Sequence, residues 1–313
     1  YRQNSSNILV FRPIAPSTGY DEFVSNSGKM YNQGIEILLS GDPVKTKNFL
    51  WNIAWNFSKN KNEVTELAPG VDEINVESAF TSIGGYAIVG EPYGVLYGSR
   101  YMKTDDGRLI IDPETGIPVQ DPERGNIGNP FPDWFMGLRN TFTWKGLSLT
   151  FLFDRRQGGD IWNGTVGRLN RLGRTQDVAD ARDNNTRFVI DGVFVDDAGN
   201  VTGENNIELD PYTYFNAYQG DNAGYAVETH VVDGSWWRLR DVTLSYMINL
   251  KDETNFINNL EVYVTGRNPL LITDYKGVDP ETSLTGAGSN NTGFDYFNNP
   301  GTKSWIIGLK IDF

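Results

Sequence analysis

Large apolar residues recur on every second position in stretch after stretch of this chain. Residues 49–57 read FLWNIAWNF, with Phe49, Trp51, Ile53, Trp55 and Phe57 mostly separated by small or polar partners. A β-strand sends successive side chains to opposite faces, so this spacing predicts a strand with one large apolar face and one mild face. The period returns at Ile35, Ile37 and Leu39, at Met136, Leu138, Asn140, Phe142 and Trp144, and at Leu147, Leu149, Phe151 and Phe153. It returns again at Leu260, Val262 and Val264, and at Trp305, Ile307, Leu309, Ile311 and Phe313. Of these 25 positions only Asn140 is polar and none is charged. The interleaved face carries Glu36, Asn52, Asn56, Arg139, Thr141, Thr143, Ser148, Thr150, Glu261, Lys310 and Asp312, interrupted by Leu38, Leu50, Leu152 and Ile306.

Two weaker segments join the set. Residues 3–11 alternate poorly, and 236–249 change register midway, as a β-bulge would make them do. The pattern predicts eight strands, at roughly 3–11, 29–41, 48–60, 135–145, 147–158, 236–249, 260–271 and 303–313. Most exceed the ~5–6 residues usual in soluble sheets and approach the ~9–11 needed to cross a bilayer at a tilt.

The links between these strands alternate in length. GDPVKT, Lys145-Gly146 and LKDETNFINN (250–259) are short, whereas 12–28, 61–134, 159–235 and 272–302 are long. Transmembrane β-barrels have this arrangement, with tight periplasmic turns and long extracellular loops. Two long links contain hairpin signals of their own, at 107–119 around Glu114-Thr115-Gly116 and at 187–202 around Asp197-Ala198-Gly199-Asn200.

Composition narrows the function classes. With 27 basic and 40 acidic residues the net charge is −13, which argues against a nucleic-acid partner because phosphate recognition needs basic patches. The absence of cysteine excludes disulfides and thiolate metal sites, and a single histidine, His230, excludes multi-histidine sites. No apolar run is long enough for a transmembrane helix, which leaves the closed barrel as the way through a bilayer. A start without methionine or a signal-type leader is expected of a processed chain or of the C-terminal part of something larger.

Candidate chemistry is sparse. Asp105-Asp106-Gly107, Asp196-Asp197 and Asp279-Pro280-Glu281 lack the ligand spacing of an EF-hand and read as turns. Among 40 acidic residues no pair stands out as a glycosidase couple. His230 has no nucleophile motif beside it. The expectation is a protein without catalytic residues, metal or cofactor.

Several stretches also resemble the C-terminal part of the SusC/RagA-like TonB-dependent transporters. They are NQGIEILLSG (32–41), NFLWNIAWNFSKNKNEVTEL (48–67), GEPYGVLYGSRY (90–101) and GNIGNPFPDWFMGLRNTFTWKGLSLTFLFDRRQGGDIWNG (125–164). DGSWWRLRDVTLSY (233–246) and NPLLITDYKGVDPE (268–281) follow in the same order. The resemblance implies an all-β transmembrane barrel of about 22 strands, of which this chain carries about eight, in the outer membrane of a Bacteroidetes-type bacterium. It further implies import of a glycan or oligopeptide, a SusD-like surface lipoprotein as lid, and energy from TonB. The plug, the TonB-contacting segment and the rest of the barrel are not recognisable in these residues.

On that reading Phe49, Trp51, Ile53, Trp55 and Phe57 face lipid, and Arg139, Arg155, Arg156 and Glu261 face a wet lumen. Trp162, Tyr212, Tyr214, Phe215, Tyr218, Trp236 and Trp237 lie in or beside the long loops. They are candidates for contact with substrate or lid, or for packing within the loops, since an aromatic ring offers apolar area with a polar edge. Trp305, Ile307, Leu309, Ile311 and terminal Phe313 resemble the signal read by the barrel-assembly machinery. Two other architectures are consistent with the strand count: a secreted β-sandwich that binds or cleaves sugars, and a self-contained eight-stranded barrel.

Overall fold

The computed structural model describes residues 1–20, 22–78, 80, 82–221, 225–250, 256–286 and 289–313. Its frame is one antiparallel sheet of eight strands in chain order. These are β1 (Arg2–Ser6), β2 (Lys29–Lys45), β3 (Phe49–Glu66), β4 (Trp134–Trp144), β5 (Leu147–Gln157), β6 (Trp236–Asn249), β7 (Asn259–Ile272) and β8 (Ser304–Asp312). All eight expected strands exist, with three boundary corrections, the first being that β3, expected to end near 60, runs on to Glu66. β1 stops at Ser6, and Leu9–Pro13 instead pairs with Glu22–Asn26 in a separate hairpin. GDPVKT is mostly strand: β2 runs on to Lys45 with a register shift between Gly41 and Val44, and the chain reverses at 46–48.

The register assembles the alternating residues into continuous rows. Val44, Trp51, Phe142, Leu149, Leu244, Val264 and Ile307 lie side by side across seven strands. The row on the opposite face is hydroxyl-rich, with Thr141 and Thr150 in contact at 3.1 Å and Thr243 and Thr265 at 2.8 Å. The apolar face is open to the surroundings: Ile307 is 78% and Trp305 67% exposed. No second sheet covers it among the described residues, which removes the sandwich architecture. The sheet is also open, with β1 and β8 at opposite edges, so these eight strands do not close into a small barrel of their own.

The expected bulge in 236–249 sits at Arg240, where the pairing of β5 steps from Leu239 to Asp241 between Phe153 and Leu152. It restores the apolar parity of the strand on both sides. The Lys145-Gly146 turn has positive φ at both residues, 45° and 88°, the two-residue geometry whose twist matches a hairpin. Of the third short link, 251–255 lie outside the described residues, and Leu250 N–H donates to the Asn258 carbonyl at 2.9 Å.

The four long links all leave the same end of the sheet and fold into a cap. Its main core draws Ile83 and Leu96 from one link, Trp162 and Val227 from the next, and Phe294 from the last. The two expected loop hairpins are present, with bridges Ile111–Pro118 and Val195–Val201, and Ile110 pairs with Val193 to join them. Their apolar faces make another core around Ile111, Ile190 and Leu209. Most fully buried apolar residues therefore belong to the cap, while the strands leave their apolar face open.

Candidate functional site

The inner, polar face of the sheet meets the cap at the upper ends of β5 and β6, and the densest polar chemistry gathers there. Arg156 pairs with Trp236 and Asp154 with Arg238 across the two strands. The bulge at Arg240 turns an extra guanidinium toward the same region. Arg238 meets Asp279 at 2.6 Å and Glu281 at 2.8 Å. Arg240 meets Asp154 at 2.6 Å and also binds Glu281 through both its terminal nitrogens. Both guanidinium groups lie over the indole of Trp236, at 5.5 Å and 5.0 Å.

Asp279-Pro280-Glu281 is the turn that its sequence suggests, with Glu281 N–H donating to the Asp279 carboxylate at 3.0 Å. It is also the anchor of the last long link on the sheet, a role the turn reading missed. The hint was available: three arginines at 156, 238 and 240 beside two tryptophans need carboxylates, and this turn supplies two.

Between this turn and the sheet lies a cleft of about 540 Å³, lined by Pro130, Phe131, Phe135, Ile161, Arg156 and Trp236 among others. Trp236 is 1% exposed. Arg156 donates from Nη2 to the Pro130 carbonyl at 2.8 Å, and Gly159, at φ 86°, leaves room that a side chain would take from the guanidinium.

The other aromatic candidates separate. Trp162 is buried in the cap core, stacked on Tyr296 at 6.1 Å, and borders a second cleft of about 530 Å³ with Asp121, Arg171 and Asp221. Tyr214 stacks on Phe188 at 4.0 Å, Phe215 meets the same ring edge-on, and Tyr218 packs on Tyr101 and Tyr214. Burial pushes the Tyr218 phenol up to about 12. These three rings thus pack within the cap, although Tyr214 and Phe215 also border a polar cleft of about 640 Å³ that contains His230, Asp177 and Asp180. Tyr212 is 77% exposed. Helix α1 (Gly164–Arg171), capped by Asn163, and helix α2 (Gln176–Asp183), capped by Thr175, form one wall of that cleft.

Not all the arginines face inward. Arg155 and Arg156 are consecutive in a strand and cannot share a face. Arg155 is on the apolar side, its guanidinium 5.0 Å from the ring of Trp237, so its expected lumen placement is corrected. Trp237 points the same way, opposite to Trp236. Arg139 and Glu261 are on the inner face, Arg139 at 3.9 Å from Asp241 and Glu261 paired with Lys310.

No protein-family model matches the chain. Two TonB-dependent receptors of Formosa agariphila, P26 and P3, are 28% and 25% identical across the whole chain, which covers 32% of each. The TonB-dependent receptor SusC of Bacteroides thetaiotaomicron is 22% identical, again over the whole chain and 29% of its own length. The chain therefore spans about a third of the curated relatives it matches. Among solved structures, the RagAB peptide importer in its open-open state superposes over the whole chain with a TM-score of 0.68 at 20% identity, covering 32% of that protein. Its closed-closed state gives 0.66 at 19%. The eight-stranded sheet and its cap match part of that fold, and the sequence of the chain is similar to the corresponding third of TonB-dependent receptors of the SusC kind.

Proposed function

We propose that this chain forms part of the wall and the extracellular cap of an outer-membrane importer that takes up a glycan or oligopeptide. The observation that carries the reading is the uncovered apolar face. Seven strands present an unbroken row from Val44 to Ile307, and only hydrocarbon stabilises such a surface without a second protein layer. Trp144 beside the Lys145-Gly146 turn suits an interfacial girdle. Trp305, Ile307, Leu309, Ile311 and Phe313 suit a signal for barrel assembly.

On this reading the cap is extracellular, the remaining barrel and a plug complete the pore, and TonB supplies energy through a segment outside these residues. A SusD-like lipoprotein closes the mouth, where exposed Tyr212 is free to meet it. The similarity to a peptide importer and to SusC supports nutrient uptake by binding and gated passage, with no bond broken in the cargo.

The test is deletion of the complete gene in its host, with uptake of glycans and peptides scored together with outer-membrane fractionation. Loss of uptake of one class, with the protein in the outer-membrane fraction, is the expected result. A protein recovered in the soluble fraction, or unchanged uptake of every class, overturns the reading. External protease on intact cells should cut within the four long links and spare the Lys145-Gly146 turn.

A further inference from the structure

The cleft under the Asp279-Pro280-Glu281 turn holds hydrogen-bond donors that lack acceptors. Arg156 Nε and Trp236 Nε1 are both buried without a hydrogen-bond partner. Among the described residues no carboxylate lies within 4.0 Å of the Arg156 guanidinium. The acids around it are already engaged. Glu281 accepts from Arg240 with both oxygens and also meets Arg238. Asp160 accepts from Asn129 N–H at 2.7 Å, and Asp233 accepts from Ser235.

A guanidinium partly withdrawn from water without a counter-ion is costly, and an anion that reaches it recovers part of that cost. Part of the wall is apolar, with Phe131, Phe135 and Ile161 lining the space alongside Thr282, Ser283 and Thr292. We propose that this cleft binds an organic carboxylate joined to an apolar body, as at the C-terminal residue of an apolar peptide. The carboxylate sits on the Arg156 guanidinium, and the apolar group lies against Phe131, Phe135 and Ile161. A neutral saccharide fits less well, because it brings no negative charge to the Arg156 guanidinium. The inference rests on the importer reading and narrows its cargo.

The complete protein containing this chain, purified in detergent, is titrated by calorimetry with N-acetyl-phenylalanine, with its amide, and with a glucuronate-containing disaccharide. The free acid should bind roughly tenfold or more tightly than the amide, the difference expected for a charge-assisted hydrogen bond. The disaccharide should bind more weakly than the acid. Arg156→Met should abolish the preference for the acid, and Arg156→Lys should keep part of it. Equal binding of acid and amide, no binding of either, or an unchanged preference in Arg156→Met overturns the assignment. A disaccharide that binds as well as the acid overturns the apolar half of it. Should Arg156→Met fail to assemble, the acid–amide comparison on the unaltered protein decides alone. Wild-type protein that binds the acid, in cells that import neither peptides nor glycans, contradicts the importer reading and leaves the cleft assignment standing.

Discussion

Trp51 Nε1 donates to Asn140 Oδ1 at 3.1 Å, and this bond accounts for the one polar residue among the 25 alternating positions. Asn140 is buried beneath its neighbours, beside Ile53 and Phe151 in the register, and Trp51 is stacked on Phe142 at 5.7 Å. The indole thus serves two purposes, covering apolar surface and satisfying an amide that hydrocarbon cannot. Trp51→Phe should destabilise the protein by about 1–2 kcal/mol, because Asn140 is then left with an unmet acceptor. Trp51→Phe combined with Asn140→Leu should recover most of the loss. Thermal unfolding of the four proteins in detergent gives the coupling, and additive losses would show that the bond contributes nothing.

Gly266 faces Trp305 across the β7–β8 pair, and a Cβ at Gly266 would fall 2.7 Å from the indole ring. The ring covers the gap that a residue without a side chain leaves in an apolar row, an arrangement by which aromatics compensate for strand glycine. Gly266→Val should push Trp305 outward and cost about 1–3 kcal/mol, the usual scale of overpacking. Reduced outer-membrane yield and a lower unfolding temperature are the expected readouts. Gly266→Val with Trp305→Leu should restore both, since the smaller side chain makes room.

The strands were legible because their period is enforced by two different solvents, one on each face. Phe49 to Phe57, Met136 to Trp144 and Leu147 to Phe153 share one face as their alternation says. The bulge at Arg240 was legible for the same reason, as a break in parity. The cap was hardly legible. Its core joins Ile83, Trp162 and Phe294, which are distant in sequence and belong to short irregular segments without a period. Only local turn chemistry showed through, at Glu114-Thr115-Gly116, Asp197–Asn200 and Asp279-Pro280-Glu281. Residue type alone misplaced Arg155, because charge suggests a wet face while strand parity fixes the actual one. The same parity, applied to Arg155-Arg156 and Trp236-Trp237, would have divided each pair correctly.

Arg238 and Asp279, both almost fully buried, form the central ion pair between the sheet and the last long link. Removing one partner of a buried pair is far costlier than the pair is worth, because the remaining charge stays desolvated. Asp279→Asn should therefore cost on the order of 3 kcal/mol, moderated by Glu281, which also meets Arg238. The loss should be local. Limited proteolysis should show faster cleavage in 273–303, with the sheet intact by circular dichroism. Cleavage unchanged from wild type would mean that Arg240 and Glu281 hold the turn by themselves.

His230 gives the cap a dependence on acid. It is buried, hydrogen-bonded to the Gly220 backbone and packed against Gly167, and burial pushes its imidazole down from 6.5 to about 4. The unfolded chain therefore takes up a proton at a higher pH than the folded cap does. Stability from this group is complete above about pH 6.5 and falls as pH drops toward about 4, below which no more is lost. The full loss is on the order of 3 kcal/mol. Amide exchange at 164–183, 211–221 and 225–230 should accelerate across that interval, beyond the change in intrinsic exchange rate. His230→Gln, which cannot take up a proton, should flatten the response while lowering stability at neutral pH through looser packing. A response of equal size in His230→Gln would assign the acid sensitivity to the carboxylates instead.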